Sequence, residues 1–204
     1  LVQAAVLSRR ERKKLEVRER ILESAITLFD EDGFHATTVA EICESADVAH
    51  KTFFNYFPSK QHLLRKIAEQ ALANLLGLID EIRQEDGTAS ERLQSFFVRI
   101  AEKIEQGPMH RELLTEMIHV AHESRTDSEQ ARLLQAAFEG LIRDGRASGD
   151  IDTGARVDTQ TELVLGAFYA LMFNWAHQDG YRLRRQARAL AQLVGQALVP
   201  GGRQ

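Results

Sequence analysis

The stretch from Thr37 to Leu64, TTVAEICESADVAHKTFFNYFPSKQHLL, constrains the fold more than any other part of the chain. Thr38 suits a helix N-cap, Glu41 completes a capping box, and Val39, Ile42 and Ala46 return at helical spacing on one face. A first short helix is expected to start there. Asp47-Val48-Ala49 interrupts the period and supplies a side chain able to bond nearby backbone N–H groups, after which His50 to Tyr56 forms a second short helical run. Phe53 and Phe57 are spaced to bury together, which leaves His50, Lys51, Thr52, Asn55 and Tyr56 facing outward. Pro58 stops that helix, Ser59 can cap the next, and Lys60 lies in its first turn beside backbone N–H groups that attract an anion. Two short helices, a tight turn and a proline stop are the layout of a helix-turn-helix unit, and the outward residues carry donors suited to base edges and phosphates.

From about Arg18 to Leu64 the chain resembles the TetR family of bacterial transcriptional regulators, in the blocks ILESAITLFDEDGF, TTVAEICESADV, KTFFNYF and FPSKQHLL. These blocks in this order are far more specific than a bare helix-turn-helix pattern. The resemblance implies an all-α fold of about nine helices: an N-terminal arm and three-helix head at residues 1–59, and a helical ligand-sensing and dimerisation body at 60–204. It also implies that the second short helix enters the major groove of double-stranded operator DNA. By motif position, His50, Lys51, Thr52 and Asn55 would read the groove, and Thr37, Thr38, Tyr56 and Lys60 would anchor phosphates. Two positions depart from the family pattern. Phe54 stands where tyrosine is most common, removing a phosphate hydrogen bond, and Lys51 stands where a small residue is common, adding charge to the groove surface and altering base preference.

With 44% hydrophobic residues, the chain can bury one large core or a small head plus a larger body. No apolar run reaches membrane-spanning length, and the apolar stretch at Leu1 precedes the basic cluster, the reverse of a secretory signal. A cytoplasmic protein is expected. Cys43, the single cysteine, excludes an internal disulfide and a cysteine-based zinc finger, and reads as a small buried apolar residue. The net charge of −4 argues against indiscriminate nucleic-acid binding, but residues 1–66 carry 11 Lys+Arg against 10 Asp+Glu, which leaves −5 for the remainder. Much of the positive charge lies in Arg9, Arg10, Arg12, Lys13 and Lys14. These read either as an arm reaching phosphates or a minor groove, or as a solvated extension of the first helix. That helix is expected from Arg18 to Asp32, with Leu22, Ala25, Ile26 and Phe29 inward and Gly33 as its stop.

Beyond Lys60 the periodicity is helical throughout. Leu64, Ile67, Ala71, Leu75, Leu78 and Ile82 describe one long amphipathic helix; a further helix is expected to follow Thr88 to Ser90 and run to about Gln106, with others at about Met109–Glu123, Asp127–Arg146, Asp158–Gln178 and Arg182–Leu198. The segment TELVLGAFYALMFNWAHQ is apolar on nearly every side and needs a second partner. The last helix offers a stripe of Leu190, Leu193, Val194, Ala197 and Leu198, with Gly195 permitting close approach. Together the two helices suggest a homodimer closed by a four-helix bundle.

Phe97, Met109, Met117, Phe138, Phe168, Met172 and Trp175 suit either a pocket for a small hydrophobic or amphipathic ligand or a dry core; periodicity does not separate the two. Glu116, His119, His122 and Glu123 fit the geometry of a cation site, but a solvated charged face explains them as well, and no metal or cofactor is expected. No phosphate-cradling glycine loop, nucleophile elbow or HExxH motif is present. The expected function is therefore a non-enzymatic, DNA-binding repressor released by a small molecule. An activator or global regulator without an inducer would share the head, and a helical carrier or enzyme would require the Thr37 to Leu64 motif to be accidental.

Overall fold

A computed structural model describes residues 8–106 and 129–199, which form eight α-helices and no strand. They are α1 (Arg9–Glu31), α2 (Val39–Ser45), α3 (His50–Tyr56), α4 (Lys60–Arg83), α5 (Ala89–Gln106), α6 (Glu129–Ser148), α7 (Val157–His177) and α8 (Leu183–Leu198). The helix expected at about Met109–Glu123 lies outside the described residues, as do Met109, Met117 and the Glu116, His119, His122 and Glu123 series.

Three of the helices begin with the same device. At Ser8–Glu11, Thr38–Glu41 and Thr88–Glu91 the hydroxyl accepts the N–H of the glutamate, while the carboxylate accepts the backbone N–H of the cap residue at 2.8, 2.7 and 2.8 Å. These bonds favour the charged carboxylate and lower the pKa of all three glutamates. The Ser8 box starts α1 at Arg9, nine residues before the expected Arg18. Arg9, Arg10, Arg12, Lys13 and Lys14 therefore stand exposed on the first turns of a helix, not on an irregular arm.

The chain divides into two compact units, Leu1–Ala68 and Glu69–Gln204, with the boundary inside α4. In the first unit the buried stripe of α1 is Ile21, Ala25 and Phe29; Leu22 and Ile26, expected inward, are only half-buried. Phe34, Ile42, Cys43, Phe53, Phe57, Leu63 and Leu64 are buried in the same unit. Cys43 is thus the buried apolar residue its neighbours implied, with desolvation raising its thiol pKa.

The second unit is built around α5, which packs along α8 and touches α6. Leu93, Phe96, Phe97 and Ala101 of α5 meet a core that includes Phe138 and Ile142 of α6, Val164, Phe168 and Leu171 of α7, and Ala187, Ala191 and Val194 of α8. Small residues on α8 let α5 approach closely within the same chain. A Cβ at Gly195 would run into the Ser90 hydroxyl, so this glycine serves the chain's own packing before any partner. Leu193, expected in the same stripe as Val194, points the other way and is 62% exposed. Asp150 joins the loop after α6 to the start of α5, its Oδ2 accepting the Ala89 N–H at 3.3 Å and the Ser148 hydroxyl at 2.7 Å. Among the described residues, no helix is long and apolar enough to cross a membrane.

Candidate nucleic-acid interface

The first unit holds its two short helices in a turn fixed by backbone bonds. After α2, the Asp47 N–H donates to Glu44 O at 3.1 Å and the Val48 N–H to Cys43 O at 2.9 Å, the paired bonds of a Schellman motif. The motif needs a left-handed residue between them, and Asp47 takes that role at φ 50°. Backbone bonds make the turn that the Asp47 side chain is expected to support. Arg20 of α1 reaches the Asp47 carbonyl at 3.5 Å, tying the turn to the longest helix of the unit.

α3 begins at His50 and ends at Tyr56, as its pattern predicts, and Phe53 and Phe57 are fully buried with ring centroids 5.9 Å apart. Those two rings orient the helix. His50, Lys51 and Asn55 are exposed, and Thr52 and Tyr56 are half-buried. Phe54 is exposed too, at 50%, an apolar member of this face that the period of the helix could have announced, because adjacent residues cannot share one buried side. Ser59 caps α4 by accepting the His62 N–H at 3.1 Å, as expected.

The residues expected to anchor phosphates separate into two kinds. Thr38 is exposed and Tyr56 half-buried, with the Thr38 hydroxyl donating to the Glu41 carboxylate at 2.8 Å. Thr37 differs. It is 2% exposed and its hydroxyl turns inward, donating to Gly33 O at 2.9 Å and lying 3.1 Å from Leu28 O, which makes it a strut between α1 and α2 rather than a free donor. Lys60 differs as well. Its ammonium donates to Phe34 O and Thr37 O, both at 2.6 Å, with His35 O at 3.4 Å and the Phe34 ring centroid 4.5 Å away. A cation seated on three carbonyls pins the α1–α2 connection to the first turn of α4.

Of the residues proposed for a ligand pocket, Phe97, Phe138, Phe168, Met172 and Trp175 are all buried in the second unit. Phe96 meets Phe138 edge to face at 5.0 Å and Phe168 at 5.8 Å, and Phe138 lies 6.0 Å from Phe168. No group of three or more metal-ligating side chains occurs among the described residues.

A buried aromatic pair that holds a short helix with its polar residues outward, behind a Schellman turn, defines a helix-turn-helix DNA-binding protein. The profile of bacterial regulatory proteins of the TetR family matches residues 21–67. The transcriptional repressor KstR of Rhodococcus jostii is 30% identical over 146 residues, covering 70% of this chain and 67% of the relative. The chain belongs to the TetR family of bacterial transcriptional regulators. Among solved structures, a TetR-family regulator from Pectobacterium atrosepticum superposes with a TM-score of 0.76 at 20% identity, covering 97% of this chain and all of that one. The regulator FadR from Bacillus subtilis, in complex with stearoyl-CoA, gives 0.66 at 20% identity over 88% of this chain and 98% of that one. Both share the all-helical fold.

Proposed function

We propose that this protein is a homodimeric, cytoplasmic, non-enzymatic repressor that leaves a pseudo-palindromic operator when a small hydrophobic or amphipathic molecule occupies its helical body. The observation that carries the reading is the outward face of α3, where His50, Lys51 and Asn55 stand exposed over the buried Phe53 and Phe57. Lys51 and Asn55 offer donors to base edges, and His50 and Thr52 extend the same face. Tyr56 supplies a hydroxyl to a phosphate oxygen, and Thr38 does so when its hydroxyl turns away from the Glu41 carboxylate. Lys60 adds positive charge while holding the loop, and Thr37 supports the helix that carries Thr38.

Dimerisation through α7 and α8 is supported by the apolar side chains these helices leave uncovered. Tyr169, Phe173 and Leu193 are 50%, 56% and 62% exposed, and covering them with a second copy removes that surface from water. Two heads then engage half-sites roughly 34 to 36 Å apart or a multiple of that. Double occupancy multiplies weak half-site affinities through effective concentration, so a change in head spacing releases the operator without unfolding anything. α4 is the natural transmitter, since its residues belong to both compact units. A ligand drives the change only as far as it binds the released state more tightly. That a regulator of the same fold holds stearoyl-CoA supports an amphipathic ligand class.

A second reading, a DNA-binding activator or global regulator without an inducer, is favoured by the ring-to-ring packing of Phe96, Phe138 and Phe168. The two separate on one experiment: a panel of hydrophobic and amphipathic small molecules is screened for quenching of Trp175 fluorescence, and hits are tested for operator affinity at matched salt. The repressor reading expects a hit that weakens binding. Equal affinity with and without every hit contradicts it.

A further inference from the structure

We propose that Phe54 reads thymine, its ring packing against the C5-methyl group of a thymine in each operator half-site. This rests on α3 being the groove-reading helix. Phe54 is flanked on that face by His50 and Lys51 one turn earlier and by Asn55, all exposed. Its ring meets the fully buried Phe53 edge to face, with centroids 5.3 Å apart and planes at 84°, while half of it meets water. A phenyl ring carries no hydrogen-bonding group, so Phe54 takes neither a phosphate oxygen nor a polar base edge. In the major groove the apolar feature of the bases is the thymine methyl, and an exposed ring among polar readers matches it in chemistry.

Burying one methyl group corresponds to about a fourfold gain in affinity per half-site, and to about fifteenfold when a dimer engages both halves. Deoxyuridine removes that methyl and leaves every base-edge hydrogen bond in place. The test starts from duplexes selected from a random pool by the wild-type protein. Each thymine is then replaced by deoxyuridine symmetrically in both half-sites, and affinity is measured at fixed salt for wild type and Phe54→Ala, with circular dichroism melting to compare their folds.

The expected result is one thymine position at which the wild type loses about fifteenfold while Phe54→Ala binds both duplexes equally, its salt slope unchanged. Two outcomes overturn the inference alone: no thymine position is methyl-sensitive for the wild type, or Phe54→Ala keeps the full sensitivity. The first needs no variant and stands even if Phe54→Ala folds poorly. Failure to enrich any duplex overturns the groove-reading role of α3 and this inference with it.

Discussion

Asp47 sits at φ 50° in the turn that separates α2 from α3, where a glycine is the ordinary choice. A left-handed residue with a Cβ costs about 1 kcal/mol or more, so Asp47→Gly is expected to raise the stability of the head by about 1 kcal/mol and Asp47→Val to lower it by a similar amount, as read by urea unfolding. Lys60 makes a second prediction at this scale. Because its ammonium is seated on the Phe34 and Thr37 carbonyls, Lys60→Met should lower stability by about 2 kcal/mol, whereas Lys51→Met, on the open face of α3, should leave melting unchanged. Equal melting of the two variants would remove Lys60 from its structural role. Neither role is written in composition. The direction of a hydroxyl at Thr37 or of an ammonium at Lys60 depends on which carbonyls the folded loop leaves pointing inward. The reach of Thr38 to Glu41 is different, because it spans one turn and follows from spacing alone.

The same distinction between local and distant causes holds for whole helices. The spans of α2 and α3 were legible because caps, apolar period and proline all lie within a few residues of each other. The start of α1 was not: its first turns carry charges with no apolar period, and the one available signal was Ser8 followed by Glu11. Helicity gives that basic segment a direction. Arg18 lies 5.9 Å from the ring of Phe57 at the end of α3, and Lys14 and Arg10 stand one and two turns before it on the same face. The double variant Arg10→Gln/Lys14→Gln is expected to bind all duplexes more weakly and to lower the salt slope of operator binding by about 0.9 for each phosphate that the segment no longer neutralises. An unchanged slope would make the segment a solvated extension. The capping boxes predict a pH dependence whose sign follows from the lowered pKa of Glu41. The folded state holds that proton less tightly than the unfolded chain, so the box contributes fully above the unfolded carboxylate pKa of about 4.3 and its contribution is lost as pH falls through the lower folded value. The melting difference between Glu41→Ala and wild type should therefore narrow from pH 7 toward pH 3; a constant gap would contradict the box. Gly145 fixes a tighter joint, since a Cβ there would lie 2.5 Å from the Ala89 Cβ and 2.7 Å from Ile151 Cδ1. Gly145→Ala should cost about 1 to 3 kcal/mol by calorimetry.

For the whole molecule, the helical body is legible in the amphipathic period. That period does not show that Gly195 lies against Ser90 of α5, because a small-residue stripe looks the same whether α5 or a second chain comes close. Nor does it separate a cavity from packed rings, which depends on how Phe96, Phe138 and Phe168 fill space together. Placing charge on the uncovered face, with Tyr169→Asp and Phe173→Asp, is expected to give a folded monomer by sedimentation that has lost tight operator binding while keeping weak half-site affinity. Operator recognition as proposed depends on two copies of α3 entering one duplex together. Selection of bound duplexes from a random pool tests this most directly: the predicted outcome is a pseudo-palindrome with half-sites about 34 to 36 Å apart or a multiple of that, whose preference at one base pair relaxes with Asn55→Ala. Enrichment of no sequence, or of a single asymmetric site indifferent to Asn55→Ala, would contradict it.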